Sequence, residues 1–172
     1  MSTDLRNIIR DIPDFPIKGI LFRDITPILQ DGAHFGEAIH QLKDLAAEYE
    51  FTKIAGPESR GFIFGTPLAY EMNKGFIPVR KKGKLPYKTV SKEYELEYGS
   101  AVIEMHEDAI AKCERVIIVD DLLATGGTCK ALCGMIEDMG GIVAGIIFLI
   151  ELEDLGGRDF LKGYNIKSLI KY

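Results

Sequence analysis

Val116-Ile117-Ile118-Val119-Asp120-Asp121-Leu122-Leu123-Ala124-Thr125-Gly126-Gly127-Thr128 is the most informative stretch of the chain. Its β-branched run, 115–119, is expected of a strand buried on both faces. Two acids follow, then a Gly-rich turn, then apolar spacing that predicts a helix over 128–139. Gly126 and Gly127 let the backbone turn tightly and expose N–H groups. Those groups and the helix N-terminus favour an anion, so a phosphate is expected there, with hydroxyls from Thr125 and Thr128. Asp120 and Asp121 would repel a phosphate laid directly on them. As ionised carboxylates they only accept hydrogen bonds, which suits the hydroxyls of a sugar attached to that phosphate. The Gly spacing matches neither a Walker loop nor a dinucleotide fingerprint.

Working outward, strands and helices alternate. Apolar spacing predicts helices over 35–49 and 62–72, with strands at 53–55, ending at Gly56, and at 75–79. Residues 93–98 and 101–105 alternate like exposed strands. Residues 142–150 form a second buried strand, and 163–170 a final extended piece. This order predicts one α/β domain with a mainly parallel central sheet flanked by helices. Ligands in such sheets sit beyond the carboxyl ends of the strands. Residues 3–11 are expected to form a short helix. Pro13, Pro16, Gly19 and Pro27 then break the chain into an irregular arm. The run 80–92, with Arg80, Lys81, Lys82 and Lys84, would on its own be a solvated loop.

The chain has 172 residues, 47% hydrophobic and 27% charged, as expected of one globular domain. A formal net charge of -5 argues against general capture of nucleic acid. No apolar stretch is long enough to span a bilayer, and the first residues lack a signal-peptide plan, so a cytoplasmic protein is expected. Cys113, Cys129 and Cys133 read as reduced thiols. Cys129 and Cys133 would share a helix face, but no further ligand is spaced to complete a metal site.

Residues 116–128 resemble the phosphoribosyl-pyrophosphate motif of the type I phosphoribosyltransferases. Phe15-Pro16, residues 19–27 (GILFRDITP), Ser59-Arg60-Gly61-Phe62, residues 80–86 (RKKGKLP) and Glu97-Tyr98-Gly99 follow in that family's order and resemble its adenine-specific members. The resemblance spans nearly the whole chain, 1–172. It implies that fold, with an N-terminal hood at 1–34 and a flexible lid at 80–99. One departure is Pro57, where an aliphatic residue is expected before the acid, which leaves the Gly56-Pro57-Glu58 turn open.

The implied reaction takes adenine and phosphoribosyl pyrophosphate to AMP and pyrophosphate. Mg²⁺ would be held mainly through the donor, with few or no direct protein ligands, and the enzyme would be a homodimer. Asp120, Asp121, Ala124, Thr125, Gly126, Gly127 and Thr128 would hold the phosphoribosyl group. Ser59, Arg60, Arg80 and Lys84 would face the pyrophosphate, leaving Lys81 and Lys82 solvated. Glu97 would approach N7 of the purine, and it and Arg60 are the expected catalytic residues. Leu21, Phe22 and Arg23 would read the base, mostly through backbone, with Leu152 as the opposite wall. Enzymes for 6-oxo purines typically place a lysine after this strand; here it ends Ile150-Glu151-Leu152. A non-catalytic regulator on the same fold would carry a nucleic-acid-binding segment, which is not seen in this sequence.

Overall fold

The structure is a computed structural model that describes residues 4–95 and 99–172. Its central sheet has seven strands, in spatial order β5-β6-β4-β3-β7-β8-β9. The parallel part comprises β3 (Lys53–Pro57), β4 (Gly75–Lys81), β7 (Arg115–Leu123), β8 (Ile142–Glu151) and β9 (Ile166–Lys171). A hairpin, β5 (Thr89–Glu95) and β6 (Ser100–His106), joins the edge of β4 with β6 antiparallel. Helices α2 (Gly32–Ala46), α3 (Arg60–Glu71) and α4 (Gly127–Asp138) cover the faces.

Two apolar clusters sandwich the sheet, as period-two strands buried on both sides require. On one face Ile117 and Val119 pack with Leu42, Phe64 and Leu68 from α2 and α3. On the other Val116 and Ile118 pack with Leu132, Cys133 and Ile136 from α4. Both helical cysteines are buried, and hydrogen bonding of the Cys129 S–H to Cys133 together with burial pushes the Cys129 thiol up. Among the described residues no helix is long and apolar enough to cross a membrane.

Of the stretch 3–11, the described residues 4–11 do not make the expected helix. Asp4 caps a single 3-10 turn, Leu5–Asn7, after which Arg10–Pro13 extends as β1. It pairs antiparallel with β2 (Leu21–Asp24), from Arg10 opposite Asp24 to Pro13 opposite Leu21. Tertiary pairing thus outweighs a weak helical pattern, and the arm expected to be irregular is built on a hairpin. A five-residue helix, α1 (Thr26–Gln30), leads from it into α2.

β3 runs one residue past Gly56. Pro57 pairs with Val79, beyond the last residue that β3 pairs with β7, so its missing N–H breaks no ladder on that side. The turn that follows contains a cis Glu58–Ser59 peptide. Within the segment expected as a lid, Arg80 and Lys81 finish β4 and Thr89–Glu95 form β5. The piece between them, 82–88, is irregular.

Candidate active site

The acid pair lies within β7 rather than in the loop after it, because β7 stays paired with β8 as far as Leu123 opposite Glu151. The chain then turns at Thr125 and Gly126 into α4. Gly126 has φ 87°, a left-handed conformation that glycine adopts freely. A side chain there would also approach the Gly157 carbonyl to 3.1 Å, whereas at Gly127 the nearest atom would be the Glu95 carbonyl oxygen at 3.4 Å. Gly126 therefore serves the turn, and Gly127 keeps open the approach to the helix N-terminus. The first amides of α4 have no partner within the helix and face that opening.

Asp120, Asp121, Ala124 and Thr128 line a cleft of about 340 Å³ with Ser59, Arg60, Arg80 and Lys81. Sequence reading had left Lys81 solvated, and Lys84 is not in this lining. Lys84 instead contributes its carbonyl, which accepts from Arg80 at 3.3 Å. Burial pushes the carboxyl of Asp120 up, and the neighbouring Asp121 charge pushes it further. Burial raises Asp121 too, against the pull of Arg60, whose Nε lies 3.0 Å from Asp121 Oδ2. That N–H is not aligned on the oxygen, so the contact is an ion pair without a hydrogen bond. Asp120 accepts the Asp121 amide at 2.8 Å.

Arg60 begins α3 and is only partly buried, so part of its guanidinium faces the cleft. Its Cζ also lies 5.8 Å from the centre of the Phe22 ring. The hood, a cation and the acid pair therefore meet, although their residues lie far apart in sequence. Arg80 is held by Glu58 at 2.5 Å. Burial opposes ionisation of Glu58, but Arg80 outweighs it and holds this carboxyl below its ordinary range. Arg23 turns its side chain away to Asp11, leaving its backbone for a ligand. Glu97 lies outside the described residues. Its flanks, Glu95 and Ser100, are paired across the hairpin, and the Glu95 carbonyl lies beside Gly127.

The profile of the phosphoribosyl transferase domain matches residues 23–167. The chain belongs to the phosphoribosyltransferase family. An adenine phosphoribosyltransferase of Kosmotoga olearia is 56% identical over 169 residues, covering 98% of this chain and 99% of that protein. One from Ruminiclostridium cellulolyticum is 58% identical over 170 residues, covering 98% and 99%. The crystal structure of the Thermoanaerobacter pseudethanolicus adenine phosphoribosyltransferase is 54% identical and superposes with a TM-score of 0.96, covering 100% of both chains. That of Saccharomyces cerevisiae, complexed with adenine and an imino-altritol bisphosphate, is 38% identical with a TM-score of 0.91, covering 98% and 97%.

Three contacts in this phosphoribosyltransferase were not read from sequence. The Tyr94 phenol accepts from the Thr128 hydroxyl at 3.1 Å, joining β5 to the cradle. Strand alternation could have placed Tyr94 on one face of β5, but not against α4. Glu58 holds Arg80. Gly157, the first residue of α5 (Gly157–Phe160), packs on the cradle so tightly that a Cβ would come within 2.2 Å of the Ala124 carbonyl.

The raised carboxyl of Asp120 has a consequence for stability. A folded-state pKa above the unfolded value favours folding below the unfolded pKa, and that contribution is lost as pH rises through the folded pKa. Asp120→Asn keeps an acceptor for the Asp121 amide and removes the buried charge. At neutral pH this variant is expected to melt a few degrees above the wild type. The gap should close as pH falls to about 4, the ordinary aspartate range. Thermal melts across that range check the sign; a wild type that melts at or above the variant at neutral pH contradicts it.

Proposed function

We propose that the chain transfers the 5-phosphoribosyl group of phosphoribosyl pyrophosphate to N9 of adenine, giving AMP and pyrophosphate. The observation that carries this is the single cleft in which the acid pair, Arg60 and the open N-terminus of α4 meet. The amides of α4 and the Thr125 and Thr128 hydroxyls receive the 5′-phosphate. Asp120 and Asp121 accept the ribose hydroxyls. Ser59 and Arg60 hold the pyrophosphate, and Arg60 links that end to Phe22, against which the base packs. Arg80, near the end of β4, and Lys84, within the irregular piece 82–88, add cations as the leaving group departs. As the bond to pyrophosphate loosens, the ribose gains positive charge and N9 attacks.

Mg²⁺ belongs to the proposal as part of the donor. Among the described residues no group of three His, Cys, Asp or Glu could hold a metal, and Asp121 is engaged by Arg60. The partly exposed Asp120 suits a water-bridged cation carried by the donor's own oxygens. When bound, the ion neutralises charge on the leaving pyrophosphate. A cytoplasmic homodimer is the proposed form, on sequence resemblance.

The test is to incubate the protein with adenine, phosphoribosyl pyrophosphate and Mg²⁺ and identify the products by mass. AMP and pyrophosphate in equal amounts are expected. No nucleotide from adenine overturns the proposal.

A further inference from the structure

Tyr172 touches both sides of the base site assigned above. Its N–H donates to the Glu151 carbonyl at 2.9 Å, and its carbonyl accepts the Glu153 amide at 2.8 Å. These are the two bonds of a parallel bridge centred on Leu152, so the side chains of Tyr172 and Leu152 leave the same face of the sheet. Both pack against the same apolar cluster.

The Tyr172 ring reaches the other wall. The Arg23 guanidinium lies 3.8 Å from its centroid, and that of Arg6 4.9 Å. Arg23 belongs to β2, which carries Leu21 and Phe22, and its guanidinium is also held by Asp11 of β1. Arg6 adds a hydrogen bond to the Lys171 carbonyl. The hood is otherwise fastened at its root, where Leu5, Ile9 and Ile25 are buried, whereas Phe15, Ile17 and Leu21 toward its tip are exposed. A hairpin held only at its root would leave the distance between β2 and Leu152 loose.

We propose that Tyr172 is a positioning residue for the base, setting the spacing between the Leu21–Arg23 wall and the Leu152 wall through its backbone bridge and its ring under Arg23. This rests on the proposed adenine site. The backbone bridge survives any side-chain change, so a substitution tests the ring alone. A partly buried guanidinium–aromatic contact supports an effect on the order of tenfold.

Tyr172→Leu keeps apolar bulk but removes the aromatic face, and Tyr172→Phe keeps the face. Steady-state kinetics with adenine and phosphoribosyl pyrophosphate are the measurement, with a thermal melt on each protein. Tyr172→Leu is expected to raise KM for adenine about tenfold, with KM for the donor and kcat changed less than about twofold. Tyr172→Phe should restore the wild-type value. If Tyr172→Leu leaves KM for adenine unchanged, or raises both KM values alike, the inference is wrong. If that variant does not fold, Tyr172→Met, which also removes the aromatic face, carries the same test, with the same expected split. A wild type inactive with adenine defeats the function itself, whereas an active wild type matched by Tyr172→Leu defeats only this inference.

Discussion

Adenine is expected to be converted about 10⁴-fold more efficiently than hypoxanthine, compared as kcat/KM. Adenine offers an acceptor at N1 and a donor at its amino group, and hypoxanthine inverts that pattern. Among the described residues β2 is paired on one edge, with β1, so its backbone retains donors and acceptors that can read a base. A base of the wrong pattern leaves buried groups unpaired, which is the strongest route to rejection. Two cations of the segments next to Leu152 are already engaged. Arg158 forks onto Glu151 at 2.7 and 2.6 Å, and Lys171 pairs with Glu153 at 2.9 Å. Neither is left free to welcome a 6-oxo group. Initial rates with each base at saturating donor and Mg²⁺ give the ratio; equal efficiencies would sink the adenine assignment.

Glu97→Gln is expected to slow AMP formation by about 10²–10⁴ with donor affinity nearly unchanged, the range typical of a general acid–base group. The resemblance of Glu97-Tyr98-Gly99 to the adenine-specific enzymes assigns Glu97 to N7 of the purine. Glu97 lies outside the described residues; of the described hairpin, Glu95 pairs with Ser100, its carbonyl lies beside Gly127, and Tyr94 bonds Thr128. The proposed function assigns the donor to α4, the acid pair and Arg60, so its affinity should hardly depend on Glu97. Single-turnover formation of AMP, with donor binding measured by calorimetry, separates the two effects and avoids slow product release. Wild-type single-turnover rates in the variant would make Glu97 a solvated hairpin residue.

The parallel sheet, its flanking helices and the Gly-rich turn after β7 were legible in sequence because each depends on neighbours in the chain. Continuous apolar runs such as 115–119 and 142–150 have few alternatives to a buried strand. The turn through Gly126 into α4 is a local conformational requirement. Helix ends were read to within two or three residues, for the same local reason.

What required the tertiary structure depends on chain segments that sequence spacing does not relate. Residues 3–11 carry a helical pattern, yet only Leu5–Asn7 make a 3-10 turn, and pairing with Leu21–Asp24 draws Arg10 and Asp11 into β1. Sequence resemblance turns Arg60 toward the pyrophosphate, but only packing sets it between Asp121 and Phe22. Glu58 and Arg80 are 22 positions apart and meet because β3 and β4 are parallel neighbours. The contacts of Tyr172 to Arg23 and Leu152 arise from the meeting of a hairpin with a sheet edge. Residue types and local periodicity determined the kind of fold and the Gly-rich turn into α4. The distances between that turn, the acid pair and the hood were decided by how separate elements pack, because their energies come from contacts across the sheet and not along the chain.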